Sequence, residues 1–335
     1  MTIKIGINGL GRIGRMVLRS VFEEGHKEIK INHINNKADI ETACELIRRD
    51  SIHGKFKEKI SIDNNNILIN NMKISYSQEQ ELKEIPWRKY DVDYVFECTG
   101  KFNSKEKLLD HINNGAQKVI VSAPCKEADK TIVYGVNHQT ISNEDKIISA
   151  ASCTTNCLAP VALVLNNKFG VEKGFMTTIH SFTTDQRLLD NSHKDIRRAR
   201  SASQSIVPTS TGASKNISQI IPELTNKIEG LALRVPTPNV SLIEFIFLSK
   251  NELTSENINN AFIEASKKSL KNILDITNEK LVSSDFNHNT MSSIIDSSLT
   301  SVVGKNMGKV SAWYDNEWGF SNRMCDLGKY LKTIK

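Results

Sequence analysis

The sequence predicts a two-domain protein, in which an α/β domain with a mostly parallel sheet precedes an α+β domain with a mixed, partly antiparallel sheet. Three observations predict this arrangement. The 335-residue chain is longer than a single hydrophobic core usually organises. Short apolar strands alternate with helical or turn-rich segments up to about residue 150, as in a sheet covered by helices. Beyond that residue, longer strands that follow one another directly replace this alternation.

The predicted elements of the first half follow in order. Ile3, Ile5 and Ile7 alternate along a first strand, and residues 15–24 carry apolar side chains at helical spacing. A second strand is predicted at 29–35, and further strands at 92–98, 118–122, 131–135 and 147–150. The asparagine-rich turns between residues 61 and 76 predict antiparallel hairpins added to this sheet.

In the second half, a helix is predicted from Cys153 to Lys168, and a long polar stretch covers residues 183–203. Strands are predicted at 175–180, 229–235, 240–248, 293–297 and 308–314, and helices at 254–268 and 268–274. An apolar face on residues 319–334 predicts a last helix that packs back onto the first domain. We therefore expect a first domain over 1–151, completed by a helix at 317–335, and a second domain over 152–316.

Composition narrows the functional classes. Apolar residues make up 39% and charged residues 24% of the chain, as in an ordinary globular protein rather than a disordered one. The longest apolar run, 158–165, is too short to cross a bilayer, and residues 1–8 lack a secretory pattern. The six cysteines form no Cys-x-x-Cys pair. We expect a cytoplasmic protein with free thiols and no membrane partner.

The net charge of +6 is small, and the basic cluster at 197–200 is not interleaved with aromatic residues. A nucleic-acid ligand is therefore not expected. A small anionic ligand suits this charge equally well.

A glycine-rich turn separates the first predicted strand from the first predicted helix. Gly9-Leu10-Gly11-Arg12-Ile13-Gly14 has the spacing of a Rossmann-type dinucleotide-binding turn, in which a pyrophosphate meets the helix N-terminus. An ordinary glycine loop is the alternative, and the strand-turn-helix context favours the dinucleotide.

The second strand ends in Asn36 and Lys37, where this turn usually has an acidic residue that binds the ribose. A neutral Asn36 would not repel a 2′-phosphate, and Lys37 could pair with it, so NADP is a candidate cofactor. In the alternative, Asn36 binds the ribose of NAD and Lys37 is solvated.

Cys153 is predicted in the first turn of a helix, among the hydroxyls of Ser152 and Thr154. Helix amides and the helix dipole favour a thiolate there, so Cys153 is a candidate nucleophile. Cys157, one turn later, suits a buried structural role; a metal pair of the two cysteines lacks further ligands. Of the eight histidines, His180 at the end of a strand is the best-placed base, although the sequence alone does not choose it.

Taken together, five segments resemble the phosphorylating glyceraldehyde-3-phosphate dehydrogenase family. The similarity extends along nearly the whole chain, and the run around Cys153 is the most specific. The segments are Ile7 to Arg15, Asp50 to Gly54, Ala151 to Pro160, Arg234 to Ser241 and Trp313 to Glu317.

The resemblance implies an oxidation of glyceraldehyde 3-phosphate, with inorganic phosphate, to 1,3-bisphosphoglycerate. It implies that Cys153 attacks the aldehyde and that His180 acts as acid and base. An inorganic-phosphate pocket is implied at Ser152, Thr154, Arg198, Thr211 and Gly212, and a pocket for the substrate's phosphate at Thr183, Asp185 and Arg234. No metal ligand is implied.

The resemblance also implies a set of cofactor-binding residues and a homotetramer, because residues 183–203 resemble a segment that in this family reaches a neighbouring subunit's cofactor. The implied cofactor residues are Gly9, Gly11, Arg12, Ile13, Gly14, Asn36, Lys37, Gln80, Ser122, Ser192 and Asn316.

Five positions depart from the commonest family pattern. Asn36 replaces an Asp, Gln80 stands near a common Arg, and Phe320 replaces a Tyr. Asn191-Ser192 stands where NAD-preferring members have Leu-Pro and photosynthetic NADP-using members have Ala-Ser. These departures favour NADP acceptance, while NAD use with relaxed contacts remains open.

Two other functions remain as alternatives. Erythrose-4-phosphate dehydrogenase shares the cysteine but usually lacks the pair Thr211-Gly212. A non-catalytic binding role on the same scaffold is the second alternative.

Overall fold

A computed structural model describes residues 2–334, which form two compact units. Unit 1 comprises residues 2–134, 138–152 and 320–334, and unit 2 comprises Gly135–Asn137 and Cys153–Gly319. The division falls between Ser152 and Cys153 at the start of one helix, and between Gly319 and Phe320 inside another.

Unit 1 is an α/β layer structure around one large sheet. Its helices are α1 (Arg12–Glu23), α2 (Ile40–Arg48) and α3 (Lys105–Asn113). Its strands are β1 (Ile3–Asn8), β2 (Ile29–Asn35), β3 (Arg49–Asp50), β4 (Gly54–Lys55), β5 (Ile60–Asp63), β6 (Asn66–Ile69), β7 (Met72–Ser77), β8 (Tyr94–Glu97), β9 (Lys118–Val121), β10 (Lys130–Thr131) and β11 (Ile147–Ser149).

The sheet of unit 1 has the order β10-β11-β9-β8-β1-β2-β7-β6-β5. The strands from β10 to β7 run parallel, and β7, β6 and β5 form the predicted antiparallel hairpins at one edge. The chain passes from β1 to β2 on one side, whereas β8 pairs with β1 on the other. This reversal creates a crevice at the carboxyl ends of the strands, where ligands of such folds bind.

Unit 2 is an α+β structure around a mixed sheet. Its helices are α4 (Cys153–Phe169), α5 (Ala213–Ile220), α6 (Ser255–Lys267) and the first residues of α7 (Trp318–Leu331). Its strands are β12 (Val171–Ser181), β13 (Val207–Ser210), β14 (Ile228–Val235), β15 (Ser241–Ser249), β16 (Leu274–Thr277), β17 (Ser293–Asp296), β18 (Ser301–Val303) and β19 (Met307–Tyr314).

The mixed sheet has the order β13-β14-β12-β15-β19-β17-β16, with β18 also paired to β19. β12 runs parallel to β14 and antiparallel to β15, so the predicted combination of a parallel α/β sheet and a mixed second sheet is confirmed. Opposite partners on β12 and β14 are His180 and Arg234, whose side chains become important below.

Most of α7 belongs to unit 1. Its side chains Phe320, Met324 and Leu327 are buried, and Ser20 Oγ on α1 donates to Asn322 Oδ1 at 2.9 Å. An added Cβ on Gly328 would lie 2.7 Å from the Phe96 ring, so the helix approaches β8 closely.

Two predicted elements are wrong, and several elements were not predicted, among them β13 and α5. Residues 268–274 form turns rather than a helix, because Asn272 takes a left-handed φ of +64° and a strand begins at Leu274. The strand expected at 131–135 is reduced to β10, since Gly135 turns the chain away with φ +90°. β13 and α5 were missed because the segment 207–220 carries no clear apolar period.

No helix among residues 2–334 is long and apolar enough to cross a membrane.

Candidate active site and cofactor cleft

The glycine-rich turn after β1 requires its glycines for different reasons. Gly9 has a φ of +92°, which L side chains rarely adopt, and a Cβ on Gly14 would lie 1.9 Å from the Gly9 carbonyl oxygen. A Cβ on Gly11 would meet nothing within 4 Å. Gly9 and Gly14 therefore shape the turn, while Gly11 leaves open space beside the backbone.

Gly11 is also the N-cap of α1 and supplies no side-chain hydrogen bond to the helix amides. The first turn, with Arg12 and Ile13, thus keeps amide donors and a positive dipole end for an anion. A dinucleotide pyrophosphate fits this chemistry, and the open space at Gly11 lets it approach.

Asp50 holds Arg12 in place. It is the first residue of the segment Asp50 to Gly54, for which the sequence indicated no function. The two side chains form a bidentate pair, with Arg12 Nη2 3.0 Å from Asp50 Oδ1, and Asp50 also accepts from the amides of Ile52 and His53. Burial opposes ionisation of Asp50, but these hydrogen bonds outweigh it and hold its carboxyl pKa well below the ordinary value.

A cavity of about 230 Å³ opens at the carboxyl ends of β1, β2 and β8. Asn36 lines it, and its side chain also serves the fold: Oδ1 accepts from the Leu10 amide at 3.1 Å and Nδ2 donates to the Tyr76 hydroxyl at 3.2 Å. The lining residues are Asn8, Gly9, Gly11, Asn35, Asn36, Lys37, Glu79, Gln80, Leu82, Cys98, Thr99, Lys101 and Phe102.

The structure thus brings Gly9, Gly11, Asn36, Lys37 and Gln80 to one cleft. Ser122 is not among the lining residues; it follows β9, and its amide donates to the Glu97 carbonyl at 3.0 Å. Ser192 belongs to unit 2, where it is exposed on the polar segment 183–203.

In unit 2, the start of α4 meets the end of β12. Cys153 Sγ lies 3.5 Å from Nε2 of His180, so the candidate thiol and the candidate base are neighbours. Cys157, one turn further along, is fully buried, and Ser293 Oγ donates to its carbonyl oxygen at 2.5 Å. Only Cys153 of these two thiols faces an imidazole.

On the other side of the His180 ring, Nδ1 lies 2.7 Å from the Ser181 carbonyl oxygen and 2.7 Å from Arg234 Nη1, which also donates to that carbonyl at 2.9 Å. The tautomer with its proton on Nδ1 donates to the Ser181 carbonyl and presents the Nε2 lone pair to the thiol, and this is the tautomer that can act as the base. Burial and then the Arg234 charge lower the pKa of His180 to about 3, so the imidazole is neutral.

Burial raises the pKa of the Cys153 thiol, while the Arg234 charge and hydrogen bonds from Thr154 oppose the increase. A neutral thiol beside a neutral imidazole is a pair in which the base accepts a proton as the nucleophile forms.

Tyr314 connects the two segments that carry Cys153 and His180, a role that the sequence did not suggest. Its buried hydroxyl lies 2.9 Å from Thr154 Oγ1 and 2.9 Å from Thr178 Oγ1. Thr178 stands two residues before His180 on β12, so strand alternation could have indicated that it faces the same side.

Cationic and hydroxyl groups lie on the segments that follow. Arg198 donates to Thr209 Oγ1 at 3.0 Å and forms a 2.5 Å ion pair with Asp185. A residue assigned to the inorganic-phosphate pocket therefore contacts one assigned to the pocket for the substrate's phosphate. Thr211 Oγ1 accepts from the Ala213 amide, and Gly212 precedes α5 with open space around its Cβ position. Thr183 donates its amide to Gln186 Oε1 at 3.3 Å.

The guanidinium group of Arg234 has an unpaired hydrogen-bond donor. Its Nε is buried without a hydrogen-bond partner among residues 2–334. An unpaired guanidinium donor in a site is a position for an anionic ligand, because burial of such a group without a partner costs free energy.

Asn316 is oriented by two serines, which sequence analysis also missed. Ser181 Oγ and Ser241 Oγ each donate to Asn316 Oδ1 at 2.9 Å. Both acceptor directions of the amide oxygen are therefore used, and the amide nitrogen is the group left to donate to a ligand.

Comparison with known proteins matches two family models: the NAD binding domain of glyceraldehyde 3-phosphate dehydrogenase over residues 3–105, and its C-terminal domain over residues 152–316. A glyceraldehyde-3-phosphate dehydrogenase of Cereibacter sphaeroides is 48% identical over 326 residues, which cover 97% of each chain. The chain belongs to the glyceraldehyde-3-phosphate dehydrogenase family.

Other relatives with that name match as completely. Glyceraldehyde-3-phosphate dehydrogenase 2 of Bacillus subtilis is 47% identical over 332 residues, covering 99% of this chain and 97% of the relative. The enzyme so named from Zymomonas mobilis is 46% identical over 337 residues and covers both chains fully. The family resemblance drawn from five sequence segments is thus confirmed, and the N-terminal match is to an NAD binding domain.

Proposed function

We propose that the protein is a phosphorylating glyceraldehyde-3-phosphate dehydrogenase. It oxidises glyceraldehyde 3-phosphate with inorganic phosphate to 1,3-bisphosphoglycerate. The observation that carries the proposal is the 3.5 Å approach of Cys153 Sγ to His180 Nε2, with Arg234 on the other side of the imidazole. Together with family membership, this geometry supports a nucleophilic thiol with its own base.

Each step of the proposed reaction uses a group of unit 2. His180 Nε2 takes the thiol proton as Cys153 attacks the aldehyde carbon, which gives a thiohemiacetal. NAD bound by the chain supplies the hydride acceptor, and oxidation leaves a thioester on Cys153. Inorganic phosphate attacks the thioester carbon, and Cys153 leaves as thiolate to recover its proton from His180.

The anion sites of the reaction are proposed at the cationic segments. Arg234, with its unpaired Nε, and Thr183 and Asp185 would serve the phosphate of the substrate. Ser152, Thr154, Arg198, Thr211 and Gly212 would hold the attacking phosphate. The Arg198–Asp185 ion pair would have to rearrange when a phosphate arrives, because Asp185 occupies one guanidinium donor.

For the cofactor, we propose that unit 1 binds NAD and also accepts NADP. Asn36 brings no carboxylate to the ribose end of the cleft, and Lys37 and Lys101 line it. Glu79 is the one carboxylate among the lining residues. Ser192 would add a hydroxyl for the 2′-phosphate, and the Asn316 amide would hold the nicotinamide carboxamide.

This assignment makes unit 1 the cofactor domain and unit 2 the catalytic domain; the NAD binding domain model matches residues 3–105, within unit 1, and the C-terminal domain model matches residues 152–316. The six cysteines are free thiols in the structure, which fits the reducing cytoplasm as the compartment.

We further propose a homotetramer. The segment 183–203 carries Leu188, Leu189 and Ile196 with 69%, 71% and 83% of their surface exposed. Large aliphatic side chains this exposed, close together in sequence, support contact with another copy of the chain. Sedimentation equilibrium should give four times the 37.6 kDa chain mass, and Ile196→Lys should reduce it; a wild-type mass of one chain would contradict the assembly.

The experiment that tests the function compares initial rates with glyceraldehyde 3-phosphate and erythrose 4-phosphate, each with NAD and NADP. We expect kcat/KM to be highest for glyceraldehyde 3-phosphate. A preference for erythrose 4-phosphate would favour the sister enzyme, and no activity with either aldehyde would favour a non-catalytic role.

A further inference from the structure

Beneath the cofactor cleft, a row of buried polar side chains crosses the carboxyl ends of neighbouring strands. His111 on α3 contacts Glu97 of β8, Glu97 contacts Asn8 of β1, and Asn8 contacts Asn35 of β2. All four side chains belong to unit 1 and are at most 4% exposed. Family membership and the proposed reaction assign no role to this row.

The direction of every hydrogen bond in the row is determined by groups that can only donate. At one end, the indole Nε1 of Trp87 donates to His111 Nδ1 at 2.9 Å. The ring proton of His111 must then sit on Nε2, which donates to Glu97 Oε2 at 3.1 Å. Trp87 thereby sets the tautomer of His111.

The other end is determined in the same way. The backbone amide of Glu79 donates to Asn35 Oδ1 at 2.9 Å, and Ser77 Oγ donates to the same oxygen at 2.8 Å. Asn35 Nδ2 therefore faces Asn8 Oδ1 at 2.9 Å, and Asn8 Nδ2 faces Glu97 Oε2 at 2.6 Å. Each amide can take only one orientation.

Glu97 lies where the donors from both ends converge. Its Oε2 accepts from His111 and Asn8, and its Oε1 accepts from the amide and the hydroxyl of Thr99. Four donors on two oxygens require a carboxylate, since a neutral acid or an amide would turn a donor toward another donor. Among residues 2–334 no lysine or arginine forms an ion pair with Glu97.

Part of the cleft surface is formed by the row and its hydrogen-bond partners. Asn8 and Asn35 of the row line the cavity, and so do Thr99, which donates to Glu97, and Glu79, whose amide donates to Asn35 at the end of the row. Glu97 and His111 lie behind them and do not line it. The carboxylate thus orients, through hydrogen bonds, side chains contributed to the cleft by β1, β2 and the turn after β8.

We propose that Glu97 is a positioning residue for the cofactor. Its carboxylate, with the tautomer of His111 set by Trp87, holds Asn8, Asn35 and Thr99 in the one arrangement that receives the adenosine part of the dinucleotide. The proposal rests on the proposed function, because it takes the cleft of unit 1 as the adenosine site.

The test is the variant Glu97→Gln, with ADP-ribose as the probe, measured by titration calorimetry. The new amide nitrogen would face the Asn8 amide and the His111 Nε2 donor, and turning Asn8 only moves the conflict to Asn35 and the fixed amide of Glu79. We expect the dissociation constants for ADP-ribose and NAD to rise together by at least about fivefold, which corresponds to about 1 kcal/mol. The matched control is Glu81→Gln, which removes the same charge from an exposed position near the cleft and should leave both constants unchanged.

A pair of substitutions at His111 tests the same idea without altering the carboxylate. His111→Gln keeps a donor to Glu97 and should retain ADP-ribose affinity, whereas His111→Leu removes it and should weaken binding about threefold or more. This pair also decides the matter if Glu97→Gln does not fold.

A purely structural role for Glu97 would give a different result. The melting temperature would fall, but protein that remains folded at low temperature would bind ADP-ribose as the wild type does. That outcome, or equal affinities in His111→Gln and His111→Leu, overturns the proposal. Alkylation of Cys153 by iodoacetamide should keep its wild-type rate in every variant. A wild-type protein that binds neither ADP-ribose nor NAD would overturn the proposed function as well.

Discussion

Arg234 Nη1 lies 2.7 Å from Nδ1 of His180, on the side of the imidazole opposite the Cys153 thiol. Burial and then the guanidinium charge disfavour a second proton on the ring, and the Ser181 carbonyl, 2.7 Å from Nδ1, can accept the first one. The residue proposed to bind a substrate anion therefore also helps to keep the base neutral. An arriving phosphate would partly neutralise Arg234 and make His180 a stronger base when substrate is bound.

Replacement of His180 tests its role as acid and base. His180→Asn should lower kcat by about 10²- to 10⁴-fold, because proton transfer from the thiol and to the product loses its positioned partner. Steady-state kinetics with glyceraldehyde 3-phosphate measure this. His138→Asn, a histidine of unit 1, is the control and should keep kcat within about threefold; a similar loss in both variants would argue against a specific role.

Asn36→Asp tests cofactor discrimination. A carboxylate at this position would repel the 2′-phosphate, so kcat/KM with NADP relative to NAD should fall about tenfold or more. The fold should tolerate the change, because an Asp oxygen can still accept from the Leu10 amide. The ratio of rates with the two cofactors is the measurement. An unchanged ratio would show that the side chain at 36 does not face the 2′ position.

Asp50→Asn tests the anchor of Arg12. Loss of the buried carboxylate leaves a charged guanidinium short of its partner, so the unfolding free energy should fall by about 2 kcal/mol. NAD affinity should also fall, because Arg12 lies in the first turn of α1. Urea denaturation measures the first effect. Asp63→Asn, which breaks an exposed pair with Lys73, is the control and should change stability little.

Acid should destabilise unit 1 through His33. Burial and then the charge of Lys89 lower the pKa of this histidine to about 4, below the ordinary value of 6.5. Between these two pKa values the unfolded chain binds a proton at His33 that the folded chain does not bind. The free energy of unfolding therefore falls as the pH drops from about 6.5 to 4. The full loss is about 3 kcal/mol. Melting temperatures across this range should fall less steeply in His33→Gln; parallel pH profiles would contradict this contribution.

The sequence predicted those features that depend on local pattern. The turn at Gly9 to Gly14, the strand before His180 and the helix that begins at Cys153 each follow from spacing or from a motif. The family resemblance then supplied residues distant in sequence, such as Arg234 and Asn316.

The remaining features depend on contacts between residues far apart in the chain. Tyr314 joins Thr154 to Thr178, and Asp50 holds Arg12, across separations that no periodicity reports. The carboxylate of Glu97 is buried among donors from three separate segments, so only the folded sheet reveals it. The failed helix at 268–274 shows the opposite error, since local propensity there yields to the left-handed Asn272.

The most direct test of the proposed chemistry is a burst experiment at high enzyme concentration. Without inorganic phosphate, wild-type protein with NAD and glyceraldehyde 3-phosphate should form NADH rapidly up to one equivalent per active site and then nearly stop. Added phosphate should restart turnover, and Cys153→Ser should give no burst. Continued fast turnover without phosphate, or a burst that survives in Cys153→Ser, would contradict a thioester on Cys153 that phosphate releases.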